Sequence, residues 1–172
     1  MSSTATKVLI IRHAEKPGDA TADNAKDGSD LSMRGFERAG ALAPYIPGTF
    51  GPPDFLFATK ASKHSNRPVE TITPLATALK LEISDKHADD DFQKVADDIR
   101  GNAKYAGKLV LICWHHGNIP ALTAALGGSP PQDHWPGSVF DRVWKLEPPA
   151  AGGSNVPVQN IPQMLLYEDS ST

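Results

Sequence analysis

Four positions in this sequence have the residue types and spacing to handle a phosphoryl group. Arg12 and His13 follow directly on the apolar run Val8-Leu9-Ile10-Ile11. A second apolar run, Leu109 to Trp114, ends in His115-His116-Gly117. Between them, Arg67 stands near the head of a helical pattern. A neutral imidazole is a competent nucleophile toward phosphorus near neutral pH, because its unperturbed pKa is about 6.5. Two guanidinium groups present planar forks of donors that match phosphoryl oxygens. A second imidazole donates to the same oxygens, and fixed cations around them stabilise the charge that develops during transfer. None of these steps requires a metal. His-His-Gly alone also reads as a metal-binding fragment, but zinc needs further ligands and Cys113 lies inside the strand pattern. Neither metal nor cofactor is expected.

Such groups need elements that bring them together. Lys7 to Ile11 is apolar without a polar face, the pattern of a fully buried strand. Ligands of α/β sheets bind just outside the carboxyl ends of the strands, which is where Arg12-His13 and His115-His116 fall. Pro17 to Asp30 reads as a loop long enough to fold over a site. Ser32 is a plausible N-cap for a helix with apolar residues at Phe36, Ala39, Leu42, Ala43 and Ile46, stopped by Pro47-Gly48. Asp54 to Ala58 reads as a strand. Asn66 to Lys80 reads as a helix that Pro74 should kink or divide. Leu81 to Ser84 fits a short strand, and about Asp90 to Arg100 a solvated helix with acids at its favoured end. Lys108 to Cys113 is the strongest strand, and Asn118 to Leu126 a helix closed by Gly127-Gly128. Val139 to Leu146 and Gln163 to Tyr167 read as late, antiparallel strands joined through a Pro- and Gly-rich stretch, Glu147 to Pro157.

The alternation predicts a three-layer α/β/α domain over residues 1–172, with a mostly parallel central sheet and antiparallel strands added late. There is no Gly-x-Gly-x-x-Gly fingerprint and no Gly-x-x-x-x-Gly-Lys loop, so nicotinamide cofactors and P-loop nucleotide chemistry fall away. Seventeen basic against twenty acidic residues, a net charge of −3, opposes wholesale nucleic-acid binding but allows a local basic pocket. Val8 to Ile11 is far too short for a signal segment or a membrane span, so the expectation is a cytoplasmic protein with no membrane partner. The single cysteine, Cys113, reads as a buried thiol. Oligomeric state is left open.

With these residues in place, the sequence resembles the histidine phosphatase superfamily, also called phosphoglycerate mutase-like. The matching pieces are Arg12-His13-Ala14 with Glu15-Lys16, Leu31-Ser32-Met33-Arg34-Gly35, Arg67 with Thr71, His116-Gly117 and the stretch Ile161 to Tyr167. The resemblance spans essentially the whole chain. It implies a phosphoglycerate mutase-like fold, with His13 as the phosphorylated nucleophile and Arg12, Arg67 and the late histidine gripping the phosphoryl group. The late histidine is either of two. The His-Gly pair selects His116, whereas counting back from Ile119 selects His115; the former placement is preferred. Lys63 stands where the family commonly has serine, with His64 and Ser65 beside it as candidate lining residues.

The proton donor to the leaving oxygen is the weakest point of the pattern. Gly117 occupies the place of the acid-phosphatase aspartate, so Asp89, Asp90 and Asp91 are candidates beside a reading of all three as solvated helix-end charges. Glu15 is a further candidate site residue. The expected activity is phosphomonoester hydrolysis through a phosphohistidine, on a phosphorylated small molecule or a phosphoprotein. Protein phosphohistidine hydrolysis, a mutase-type transfer and a non-catalytic phosphate-binding module are the alternatives.

Overall fold

The computed structural model describes residues 5–18, 28–147 and 153–172. The expected loop at Pro17 to Asp30 and the connection from Glu147 therefore lie partly outside the described residues. β1 (Lys7–Arg12) and β4 (Leu109–Trp114) are parallel neighbours in the middle of a six-stranded sheet ordered β3-β2-β4-β1-β6-β8. β2 (Phe55–Ala58) pairs parallel with β4, and β3 (Ile83–Ser84) parallel with β2. β6 (Arg142–Leu146) runs antiparallel beside β1, and β8 (Gln159–Pro162) antiparallel beside β6. The mostly parallel sheet with late antiparallel strands is thus as the sequence predicts.

Alternation along the strands divides the core in two. Val8, Ile10, Val110, Ile112 and Trp114 face α3 (Phe92–Gly101) and α4 (Ile119–Ala125), against Val95, Ile99, Ile119 and Leu122. Leu9, Ile11, Leu111 and Cys113 face α1 (Met33–Phe50) and α2 (Arg67–Leu79), against Leu42, Ile46, Ile72 and Leu75. Each fully buried aliphatic side chain here contributes about 1.5–3 kcal/mol relative to exposure. Burial on both faces explains why β1 and β4 lack a polar face. A minor two-stranded pairing joins β5 (Gly128–Ser129) to β7 (Val156–Pro157).

Ser32 caps α1 as expected, its hydroxyl accepting from the Gly35 amide at 3.1 Å. Four local expectations are corrected. Pro47-Gly48 does not stop α1, which runs to Phe50 and ends at Gly51, with φ of 90°. Ile46 and the partly buried Phe50 pack on either side of that proline and hold the helix in place. Pro74 does not divide α2. Gln163 to Tyr167 is not a strand: the pairing ends at Pro162, and Gln163 turns its side chain inward to Arg38 and Arg142. Phe36, assigned to the buried stripe of α1, is half exposed, and Arg38 takes a place in the interior instead.

Candidate active site

The register of the two central strands builds the site. Arg12 is level with Trp114, and the next amide, His13 N–H, donates to the Trp114 carbonyl at 3.1 Å. The residue after Trp114 is therefore the one that meets His13. The rings of His13 and His115 stand edge to face with centroids 5.2 Å apart. His116 instead lies beside Gly137, where an added Cβ would come within 3.7 Å of its Nε2. Although the His-Gly pair selects His116, it is His115 that faces His13, because parallel pairing fixes which residue leaves β4 level with it.

The nucleophile candidate is held by its own loop. His13 Nδ1 lies 2.7 Å from the Ala14 carbonyl, which can only accept, so Nδ1 carries the proton and Nε2 the lone pair. Ala14 is fixed in turn. Its amide donates to the Thr71 hydroxyl at 2.9 Å, and that hydroxyl donates to the Arg67 carbonyl at 2.7 Å. The first turn of α2, which tolerates Pro68 because its N–H would lack a helical partner anyway, is thereby tied to the His13 loop.

Two guanidinium groups flank the imidazoles. Arg12 donates from Nη1 to the carbonyls of Gly137 at 2.6 Å and Val139 at 3.0 Å. Its central carbon sits 3.7 Å from the centre of the Phe140 ring, which also lies 6.1 Å from the His13 ring. Arg67 donates to the Gly28 carbonyl. Burial is the main cause of a His13 pKa well below the usual imidazole value; the Ala14 hydrogen bond opposes it, and the charges of Arg12, His115 and Arg67 lower it further. Burial, then Arg67, His116 and Arg12, brings His115 down to about 4. His116 is lowered by burial and by the charges of Arg12 and Lys16. At neutral pH the two facing imidazoles are uncharged, in a setting whose fixed charges are positive.

The remaining candidates separate. Glu15 is engaged by arginines: its carboxylate accepts three bonds from Arg38, at 2.7 to 3.0 Å, and lies 3.3 Å from Arg34 Nε. Arg34 is accordingly mostly buried. His64 is exposed on the loop before Asn66. Asp91 pairs with Lys94 at 2.7 Å, and exposed Asp90 accepts from Asn118 at 3.3 Å. Asp89 lies nearer the strand ends. Its backbone carbonyl accepts from Trp114 Nε1 at 3.1 Å, and its buried Oδ1 has no partner among the described residues. Burial raises its carboxyl pKa against the lowering effect of Asn118. The basic groups Arg12, His115 and Arg67, and no carboxylate, are those whose charge bears on His13 among the described residues.

Sequence reasoning did not assign Phe140 to the site, nor Arg38 and Asp169 to the support behind it. An arginine inside the apolar stripe of α1 was the signal for Arg38; Phe140 has no local signal. Cys113 is a buried thiol as expected, its pKa raised by desolvation. Trp135 packs on Trp144, with ring centres 4.9 Å apart.

The sequence matches no protein-family model and no curated protein. Its fold matches solved structures. A protein histidine phosphatase, SixA, in complex with tungstate superposes with a TM-score of 0.62 at 17% identity, covering 87% of this chain and 93% of that one. A mycobacterial glucosyl-3-phosphoglycerate phosphatase gives 0.59 at 15% identity, over 92% and 98% of the two chains. Phosphoserine phosphatase from Entamoeba histolytica, in complex with 3-phosphoglyceric acid, gives 0.61 at 16% identity, over 94% and 100%. The chain shares the fold of these phosphatases.

Proposed function

We propose that this chain is a histidine phosphatase, hydrolysing a phosphomonoester through a phosphohistidine on His13 without a metal. The observation that carries the reading is the His13 ring. Its Nδ1 is engaged by the Ala14 carbonyl and its pKa is depressed, so Nε2 is an available base and nucleophile at neutral pH. Nε2 attacks phosphorus in line with the leaving oxygen, and the P–O bond breaks as the P–N bond forms. Arg12, Arg67 and His115 supply donors to the non-bridging oxygens, where their attraction grows with the developing charge. Water then attacks the phosphohistidine and releases inorganic phosphate and Nε2. A leaving alkoxide needs a proton, and Asp89 is the carboxyl best suited by its raised pKa and its place near the end of β4.

One observation favours a second substrate class. The charges bearing on His13 are all basic, which suits a leaving group that departs without strong acid assistance. A phosphohistidine on another protein is such a substrate, and the fold likeness to a protein histidine phosphatase points the same way. A cytoplasmic location fits the single, buried cysteine.

Replacing His13 with alanine tests the reading. The wild type should turn over an aryl phosphate and, after acid-free quenching, show a phosphoramidate resonance by phosphorus NMR. The His13→Ala protein should show neither. Undiminished turnover in that variant would remove His13 as nucleophile, and activity lost to chelator and restored by a divalent ion would remove the metal-free mechanism. Incubation with 3-phosphoglycerate separates hydrolysis, which frees phosphate, from a mutase, which yields 2-phosphoglycerate.

A further inference from the structure

Behind the His13 loop lies a buried ionic cluster that the reaction as written does not use. Arg38, 2% exposed, faces two carboxylates at once. On one side it donates to Glu15 from Nε and Nη2, and on the other to Asp169, from Nη1 at 3.0 Å and Nη2 at 2.7 Å. Gln163 Oε1 accepts from Nη1 at 2.9 Å. Three buried charged groups with every oxygen engaged form a rigid unit, since loosening any one leaves a charge unpaired in the interior.

Asp169 belongs to the segment 163–172, which is held down along its length. Its carboxylate also accepts from the amides of Leu165 and Leu166 at 2.8 and 3.0 Å. Arg34 donates to the Tyr167 carbonyl, and Arg142 to those of Ser170 and Thr172. The Ser170 amide donates to Asp141 at 2.7 Å. Met164 and Glu168 take φ of 53° and 72°, left-handed values that side chains other than glycine adopt at a cost. That cost persists only where surrounding contacts outweigh it.

The far end of the cluster is two residues from His13. Glu15 follows Ala14, whose carbonyl fixes the His13 tautomer. The Glu15 carbonyl is pinned as well, accepting from the Ser32 amide at 3.0 Å and hydroxyl at 3.2 Å. Holding both the side chain and the carbonyl of Glu15 fixes the frame of its Cα, and with the Ala14 amide held on Thr71 this restricts the intervening peptide, whose carbonyl meets His13.

We infer that Asp169 is a positioning residue for His13, acting through Arg38, Glu15 and the Ala14 carbonyl to keep Nε2 as the unprotonated, forward-facing nitrogen. Segment 163–172 is then a strap whose seating sets nucleophile geometry rather than a passive end of the fold. The proposal rests on the phosphatase reading for its kinetic consequence, but not for its structural one.

The test compares Asp169→Asn and Asp169→Glu with wild type, using p-nitrophenyl phosphate and nitrogen-15 NMR of the His13 ring, assigned with His13→Ala. Because small displacements of reacting groups cost large factors, Asp169→Asn should lower kcat by about tenfold or more with KM within about twofold. Its His13 ring should show a mixture of tautomers where the wild type shows Nδ1–H. Asp169→Glu, which keeps the charge, should recover most of both. A folded Asp169→Asn protein with wild-type kcat and an unchanged tautomer overturns the proposal, as does a lowered melting temperature alone. Should Asp169→Asn not fold, Arg38→Lys takes its place, since a lysine cannot span both carboxylates; the same outcomes decide. If the wild type hydrolyses no phosphate ester, the phosphatase reading fails while the tautomer comparison still decides the strap.

Discussion

Removing one imidazole from each position of the His115–His116 pair should have very unequal consequences. The His115 ring faces His13 at 5.2 Å between centroids, whereas His116 sits beside Gly137. With a pKa of about 4, His115 is neutral at pH 7, and protonating it there costs about 4 kcal/mol. A phosphate charge about 4 Å away returns about 4 kcal/mol per unit charge at an effective dielectric of 20. A dianion at that distance would cover that cost, so His115 should become a cation on binding. Loss of such a donor costs about 2.7–4 kcal/mol in the transition state, so His115→Ala should reduce kcat by about a hundred- to a thousandfold. His116→Ala should change it by only a few-fold. Calorimetry of vanadate binding at pH 7, in two buffers of different ionisation enthalpy, should show proton uptake by the wild type and none by His115→Ala. A large kcat loss in His116→Ala with little change in His115→Ala would refute the register argument. Equal proton uptake in wild type and His115→Ala would refute the charge argument.

Three further outcomes follow from the same geometry. Arg67→Lys keeps the cation but not the fork, so turnover of an aryl phosphate should fall about a hundredfold, with an unchanged circular-dichroism melt. Buried imidazoles with lowered pKa values bind fewer protons folded than unfolded. Stability should thus be flat above about pH 6.5 and fall on acidification, with His115 alone accounting for about 3 kcal/mol between pH 6.5 and about 4, which chemical denaturation at stepped pH would read. A Cβ on Gly35 would stand 2.3 Å from the Glu15 carbonyl oxygen, so Gly35→Ala should cost about 1–3 kcal/mol in a denaturant titration.

The parts of the site that sequence reveals are those fixed by local pattern. Arg12 and His13 stand out because a buried strand has no need of charge at its end, and the ends of parallel strands are where α/β sheets work. Arg67 is legible because it opens a helix. The choice between His115 and His116 is not local: it depends on how β1 pairs with a strand about a hundred residues away, and either histidine satisfies the motif. Arg38 and Asp169 are separated by 131 positions, and neither alone predicts the other. The displaced last strand has the same origin. Gln163 fits an extended pattern and its backbone N–H still donates to the Asp141 carbonyl at 2.9 Å, but its side chain turns to Arg38 and the pairing goes no further.

The doubled histidine after β4 looks like redundancy, yet the sheet forbids treating it so. To bring His116 level with His13, β4 would have to slide by one residue, and every side chain on it would change sides. Trp114 would leave the α3 and α4 layer for that of α1 and α2, and Cys113 would make the opposite crossing. The core thus imposes parity on this end of the strand. Shifts of two residues, about 6.6 Å, preserve the faces but overshoot the neighbouring histidine, and shifts of one reach it only by turning the interior inside out. A substitution can exchange the chemistry of positions 115 and 116, but sliding the strand cannot exchange their places.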